Sequence, residues 1–164
     1  MSFDQRMREA RKFERTVLDA LGSRGWITEP FGQGQLSEDV RAKLRQVETP
    51  VRWMPDTIGC KKFAARTLTV FVDAKAGERW RKTNKHDVEQ SAAESANRWA
   101  EFSNCPVYFV FPDWSVTIPA TVLELDERGP HYGNGSGTPF LLIPRIACTP
   151  FDAIFGPVND VVED

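Results

Sequence analysis

The spacing of apolar and polar positions divides the chain into a series of structural units. Met7, Ala10, Phe13, Val17, Leu18 and Leu21 fall in one arc at roughly 100° per residue, which predicts an amphipathic helix over residues 4–22. Asp4 is placed to cap that helix and Gly22 to stop it. Trp26 to Phe31 predicts a short strand, broken by Gly32-Gln33-Gly34. Leu36 to Gln46 predicts a second helix with Val40 and Leu44 inward, ended by Thr49-Pro50. Val51 to Ile58 carries Pro55-Asp56 at a strand start or bend; Pro55 has no amide donor, so this is an edge or an irregular entry. A turn is expected at Gly59–Lys62, followed by a buried strand over about 66–73 built on Leu68-Thr69-Val70-Phe71-Val72.

The second half continues with a polar loop at 76–86 and a helix from Asp87 to about Phe102, with Ala92, Ala96, Trp99 and Ala100 on its apolar side. Val107 to Phe111 is another buried strand. A strand, a helix and a strand in succession imply a crossover that leaves the two strands parallel neighbours. Beyond Trp114 the pattern weakens: Val116 to Leu125 fits more than one element, 129–139 is a glycine-rich loop, and Phe140 to Ile143 is a strand. No repeat or linker divides the chain, so residues 1–164 read as one α/β domain.

Composition narrows the function classes. Of the 164 residues 41% are hydrophobic and 27% charged, with no apolar run near the ~20 residues of a membrane span. The N-terminus lacks a signal-peptide core, so a cytoplasmic location is expected, in a bacterium, an archaeon or a phage-infected host. Cys60, Cys105 and Cys148 lie far apart with no C-x-x-C, which argues against a zinc site or a disulfide framework. The net charge of −2 hides basic segments. Arg6, Arg8, Arg11, Lys12 and Arg15 crowd the first helix, and Lys75, Arg79, Arg81, Lys82 and Lys85 face a single acid, Glu78. Such segments suit phosphate binding.

Three acids and a lysine carry the chemistry. Glu14 falls in the middle of the apolar arc of the first helix, where a carboxylate is out of place. Asp73 and Lys75 end the apolar strand and point to one face of it. Charges gathered there are costly unless they are paired or bind a metal. Magnesium takes one or two carboxylates plus waters and substrate oxygens. Asp56 and Asp73 can supply two ligands, the backbone carbonyl of Ala74 a third, and Glu14 a further ligand or a hold on water. Lys75 can orient the water or offset developing negative charge. His86 and His131 read as surface residues without a nucleophile triad, and Gly133–Gly137 lacks the lysine of a phosphate-binding loop.

The order Glu14, Pro55-Asp56, Asp73-Ala74-Lys75, helix, strand resembles the PD-(D/E)xK nuclease superfamily. Asp73-Ala74-Lys75 is the one D/E-x-K tripeptide in the chain, and the second Pro-Asp pair, Pro112-Asp113, has none after it. Arg11-Lys12-Phe13-Glu14-Arg15 followed by Gly25-Trp26 looks most like archaeal-type Holliday junction resolvases and related phage nucleases. The resemblance implies a restriction-endonuclease-like αβββαβ core over about 4–111: a central mixed sheet flanked by helices, with a C-terminal extension over about 112–164. It also implies a magnesium-dependent (or manganese-dependent) endonuclease acting in DNA recombination on branched DNA, often as a homodimer. Its catalytic residues would be Glu14, Asp56, Asp73 and Lys75, and its DNA contacts Arg11, Arg15, Arg79, Arg81, Lys82 and Lys85. Cleavage of duplex DNA in a restriction-like role, or a non-catalytic nucleic-acid-binding module on the same fold, would use the same residues differently.

Overall fold

A nine-residue strand, Arg66–Ala74, organises the molecule, because its buried residues Val70, Phe71 and Val72 point alternately to two faces and each face must be covered. The computed structural model describes residues 3–49, 51, 54–77, 80–129 and 139–159, with the side chains of Phe3, Arg6, Trp80 and Arg81 set aside. The strands are β1 (Ile27–Pro30), β2 (Thr57–Phe63), β3 (Arg66–Ala74), β4 (Lys85–Glu89), β5 (Val107–Val110), β6 (Ser115–Thr117), β7 (Phe140–Pro144) and β8 (Thr149–Pro150). The helices are α1 (Phe3–Gly22), α2 (Glu38–Leu44), α3 (Trp80–Thr83), α4 (Gln90–Ser103), α5 (Pro119–Leu125) and α6 (Phe151–Phe155).

Six strands form one mixed sheet in the order β1-β2-β3-β5-β6-β8. β1, β2 and β3 are an antiparallel meander; β3 and β5 run parallel through the α4 crossover, as the sequence predicts. On one face Val70, Val72, Val110 and Val116 meet Val17 and Leu21 of α1 and Phe151 and Phe155 of α6. On the other, Phe71, Phe109 and Phe111 meet Ala93, Ala96 and Trp99 of α4, Val122 of α5, and Val88, Leu141 and Ile143. The last three belong to an antiparallel ribbon of β4 and β7 that is separate from the main sheet.

Several local expectations are corrected. Gly59–Lys62 is not a turn but the middle of β2, where the bare Cα of Gly59 lies against Val70 and Trp26. The turn is Ala64-Ala65, closed by the Phe63–Arg66 pair, and Ala64 takes φ +50° there. Asp87 caps nothing: His86 and Val88 are buried between outward Lys85, Asp87 and Glu89, a period of two that makes Lys85–Glu89 a strand and starts α4 at Gln90. Asp4 sits inside the first turn of α1, and Met7 is exposed rather than inward. In α2 nothing is buried and Val40 faces outward. Ser37 caps that helix through the Val40 amide. The apolar stretch after Trp114 divides into β6 and α5, with Pro119 at the helix start.

Candidate active site

The β2–β3 register brings the acids together. Thr57 pairs with Val72, so Asp56 immediately before β2 and Asp73 just beyond Val72 meet at one end of the hairpin. Asp73 shares the Phe71 face of β3 and is mostly buried, its side chain 17% exposed. Lys75 Nζ lies 2.7 Å from Asp73 Oδ2 and 4.8 Å from the Phe109 ring centroid, so the ammonium is held between an anion and an aromatic face. The Lys75 amide donates to Val110 O at 2.8 Å, which extends the β3–β5 ladder past Ala74 and fixes the lysine's backbone. Glu14 reaches the same place from α1, half-buried one turn before Val17 and Leu18.

These carboxylates disturb one another. Asp56 is pushed up from its ordinary 3.8 to about 7, first by burial, then by the charges of Asp73 and Glu14, and also by a hydrogen bond with Asp73. Lys75 pulls the other way and does not compensate. Glu14 is raised as well, by burial and then by Asp73. Acids packed this closely favour taking up a proton or a further positive charge. Among the described residues no three acidic, histidine or cysteine side chains close on one point as a complete cage. Asp56 and Asp73 are two carboxylates, which by their chemistry would suit a hard divalent cation whose other positions go to water and substrate oxygens.

Asp56 is positioned by a segment that the sequence reading treated only as a break. The amides of Phe31 and Gly32 both donate to Asp56 O, at 2.7 and 3.2 Å. Phe31 is anchored by its ring, 5.2 Å from Phe71 and 5.8 Å from Trp99, contacts of about 1 kcal/mol each. A Cβ on Gly32 would come within 3.0 Å of Asp56 Cα and 3.2 Å of Asp56 Oδ1 and of Pro55 O. A side chain there would press Asp56 or the loop aside by a few tenths of an ångström. The signal was available, since a glycine pair follows a strand and precedes the acid, but nothing local says which backbone it will approach.

Two clefts flank the acids. One, about 220 Å³, is lined by Arg11, Glu14, Arg15, Gly32, Gln35 and Asp56. The other, about 370 Å³, is lined by Asp73, Pro55 and Met54 and by the first turns of α4, including Ser91 and Ser95. Arg11 and Arg15 therefore stand beside the acids, although Arg15 also pairs with Asp19 at 3.4 Å. Lys82 is exposed on α3. Lys85 belongs to β4, not to a loop, and is ion-paired with Glu127. Arg79, the side chain of Arg81, and His131 lie outside the described residues.

No family model matches the chain, and no curated protein matches it in sequence. Among solved structures it is similar to Hjc of Archaeoglobus fulgidus, a Holliday junction resolvase from an archaeal hyperthermophile, with a TM-score of 0.53 and 12% identity over 90% of this chain and 95% of that one. The fold is restriction-endonuclease-like. D212, a nuclease from a fusellovirus, aligns at a TM-score of 0.43 and 9% identity over 93% of this chain and 87% of that one. In this restriction-endonuclease-like core, α1, the β1–β2–β3 meander, α4 and β5 are the αβββαβ series, with Glu14 on its first helix, Asp56 just before β2 and Asp73 on β3.

The sequence reading of His86 is overturned. His86 is buried at 1% exposure, its ring stacked on Phe111 at 3.9 Å and 6°. Its Nε2 lies 2.8 Å from Ser115 Oγ, and that hydroxyl donates to Asp113 Oδ1 at 2.7 Å. With the serine proton committed to the carboxylate, Nε2 carries the hydrogen that the serine oxygen accepts. Arg145 Nε approaches Asp113 Oδ2 at 2.6 Å. The second Pro-Asp pair thus ends in a buried network between the ribbon and the β5–β6 turn. This arrangement is not a nucleophile triad, because Ser115 contacts the acid directly and is itself buried.

Proposed function

We propose that the protein is a metal-dependent nuclease that hydrolyses phosphodiester bonds in DNA, with magnesium as its cation and branched DNA of the Holliday-junction kind as its preferred substrate. The observation that carries this reading is the meeting of Asp56, just before β2, with Asp73 near the end of its antiparallel neighbour β3, Glu14 and Lys75 converging on them. Asp56 and Asp73 would hold the cation, aided by the Ala74 carbonyl and Glu14. Manganese would satisfy the same oxygens. When bound, the cation supplies neutralisation of phosphate charge and acidification of a water. The chain's own residues do the rest. Lys75, held on Asp73, presents ammonium protons toward the attacking water or the phosphate oxygens. Glu14 accepts a hydrogen bond from that water and fixes its direction. Arg11 and Arg15 offer charge to a neighbouring phosphate in the adjoining cleft. A four-way junction presents two equivalent strands, and the partner that matches them is a second copy of the chain.

The test is incubation with four-way junction, linear duplex and single-stranded DNA, with magnesium or with chelator, beside Asp73→Asn. Cleavage that needs both metal and Asp73 is the expected result, fastest on the junction. A duplex preference would keep the chemistry and move the substrate to a restriction-like role. Binding without turnover under magnesium and manganese would leave a non-catalytic module in place of the nuclease.

A further inference from the structure

The hairpin that supplies Asp56 and Asp73 continues well beyond them, and its far end has a distinct composition. Residues 57–72 contain no acid and three cations, Lys61, Lys62 and Arg66. Lys61 is committed to the fold: its ammonium donates to Arg24 O and lies 5.0 Å from the Phe63 ring centroid. Lys62 and Arg66 are exposed and have no carboxylate partner among the described residues. Beside them Phe63 and Leu68 are each 45% exposed. In strand periodicity Lys62 lies on the Asp56 face of the hairpin and Arg66 on the opposite face, so the two cations straddle the tip. The loop between the strands is only Ala64-Ala65, with Ala64 held at φ +50°, so the tip is a tight and defined projection.

The distance is set by the strand. Six residue steps separate Asp56 from Lys62 and seven separate Asp73 from Arg66, which at about 3.4 Å per residue puts the tip ~20 Å from the acids. Successive phosphates of one DNA strand advance ~3.4 Å along the axis, so that reach corresponds to about six base pairs. Resting on the nuclease reading above, we propose that the β2–β3 hairpin tip is a second nucleic-acid contact. In it Lys62 and Arg66 grip the phosphate backbone of a duplex arm about six base pairs from the cleavage point, and Phe63 packs on its sugars. The substrate this implies is a nucleic acid with a continuous arm on that side, not a nicked end or a short oligonucleotide.

Binding can be read without turnover, by fluorescence anisotropy of a labelled duplex of about 30 base pairs in chelator across a range of salt. Lys62→Gln/Arg66→Gln should reduce the slope of log affinity against log salt by about 1.8 and weaken binding roughly tenfold at ~0.1 M salt. Lys62→Arg/Arg66→Lys should restore both, and unchanged thermal unfolding of the glutamine variant would exclude a folding defect. An unchanged slope on the long duplex, with wild-type binding intact, would overturn the hairpin contact and leave the nuclease reading standing. No wild-type binding to any DNA would overturn both.

Discussion

Two clusters of buried polar groups lie near the C-terminal ends of β3 and β5, and they are built on opposite principles. Around Asp113 the carboxylate is met by Ser115, His86 and Arg145. Burial alone would raise its pKa, but the Ser115 hydroxyl and amide, His86 and Arg145 outweigh that and hold Asp113 below the usual carboxylate range. Around Asp56 the balance falls short: three carboxylates gather near Lys75 and Arg11, and Asp56 still rises to about 7. The first cluster joins the ribbon to the sheet, and the second concentrates like charge at the end of β3. Burial of a polar group is therefore no guide to its role here; the balance of partners is.

The comparison can be broken from either side, and the largest effect should be on turnover. Asp73→Asn should lower metal-dependent cleavage by about a thousandfold or more, since it removes a ligand and the Lys75 anchor together. Its thermal unfolding should stay near wild type, and a collapse of the fold would show that Asp73 is structural instead. In the other cluster, His86→Ala should cost about 3 kcal/mol of stability in denaturant titration, by emptying a fully buried site and leaving Ser115 and Asp113 short of a partner. Calorimetric affinity for manganese should be untouched in that variant.

Acid should act on the two clusters with opposite sign. Asp56 has a folded pKa above its unfolded value, so ionisation penalises the folded state progressively from about pH 4 to about pH 7 and no further above that. The penalty is of order a few kcal/mol. His86 is lowered, chiefly by burial, so its contribution runs the other way and is lost as pH falls below its ordinary 6.5. Asp56→Asn should thus raise metal-free stability at pH 8 and leave the acid-side loss due to His86 exposed in a melting-temperature series. Magnesium should raise the wild-type melting temperature at pH 8 far more than at pH 5. A cation effect independent of pH would remove the acid cluster as its source.

Smaller effects sharpen the geometry. Gly32→Ala should weaken manganese binding about tenfold without unfolding the chain, because its new methyl displaces Asp56. Normal affinity in that variant would mean that the loop yields instead of the acid. Ala64→Gly should stabilise by about 1 kcal/mol, since a left-handed alanine is strained and glycine is not.

The acid cluster was legible in the sequence because its parts announce themselves locally: a carboxylate inside an apolar arc, and a D-x-K at the end of a buried strand. The core of the fold followed for the same reason, since β3, α4 and β5 carry long apolar patterns. Legibility failed where the information is distant. His86 lies in a polar stretch, and nothing near it reveals that Asp113 and Ser115 will arrive from the β5–β6 turn. Lys61-Lys62 looked like a turn because a hairpin tip keeps polar side chains on a strand that has left the core. Gly32 was visible as a glycine, but its purpose depends on Asp56, 24 positions later.

The pairing of Thr57 with Val72 also bears on the order in which the molecule assembles. A hairpin closed by two residues forms in about 1–10 μs, long before the parallel β3–β5 contact can be made across the whole α4 crossover. Asp56 and Asp73 can therefore meet early, within one short segment of chain.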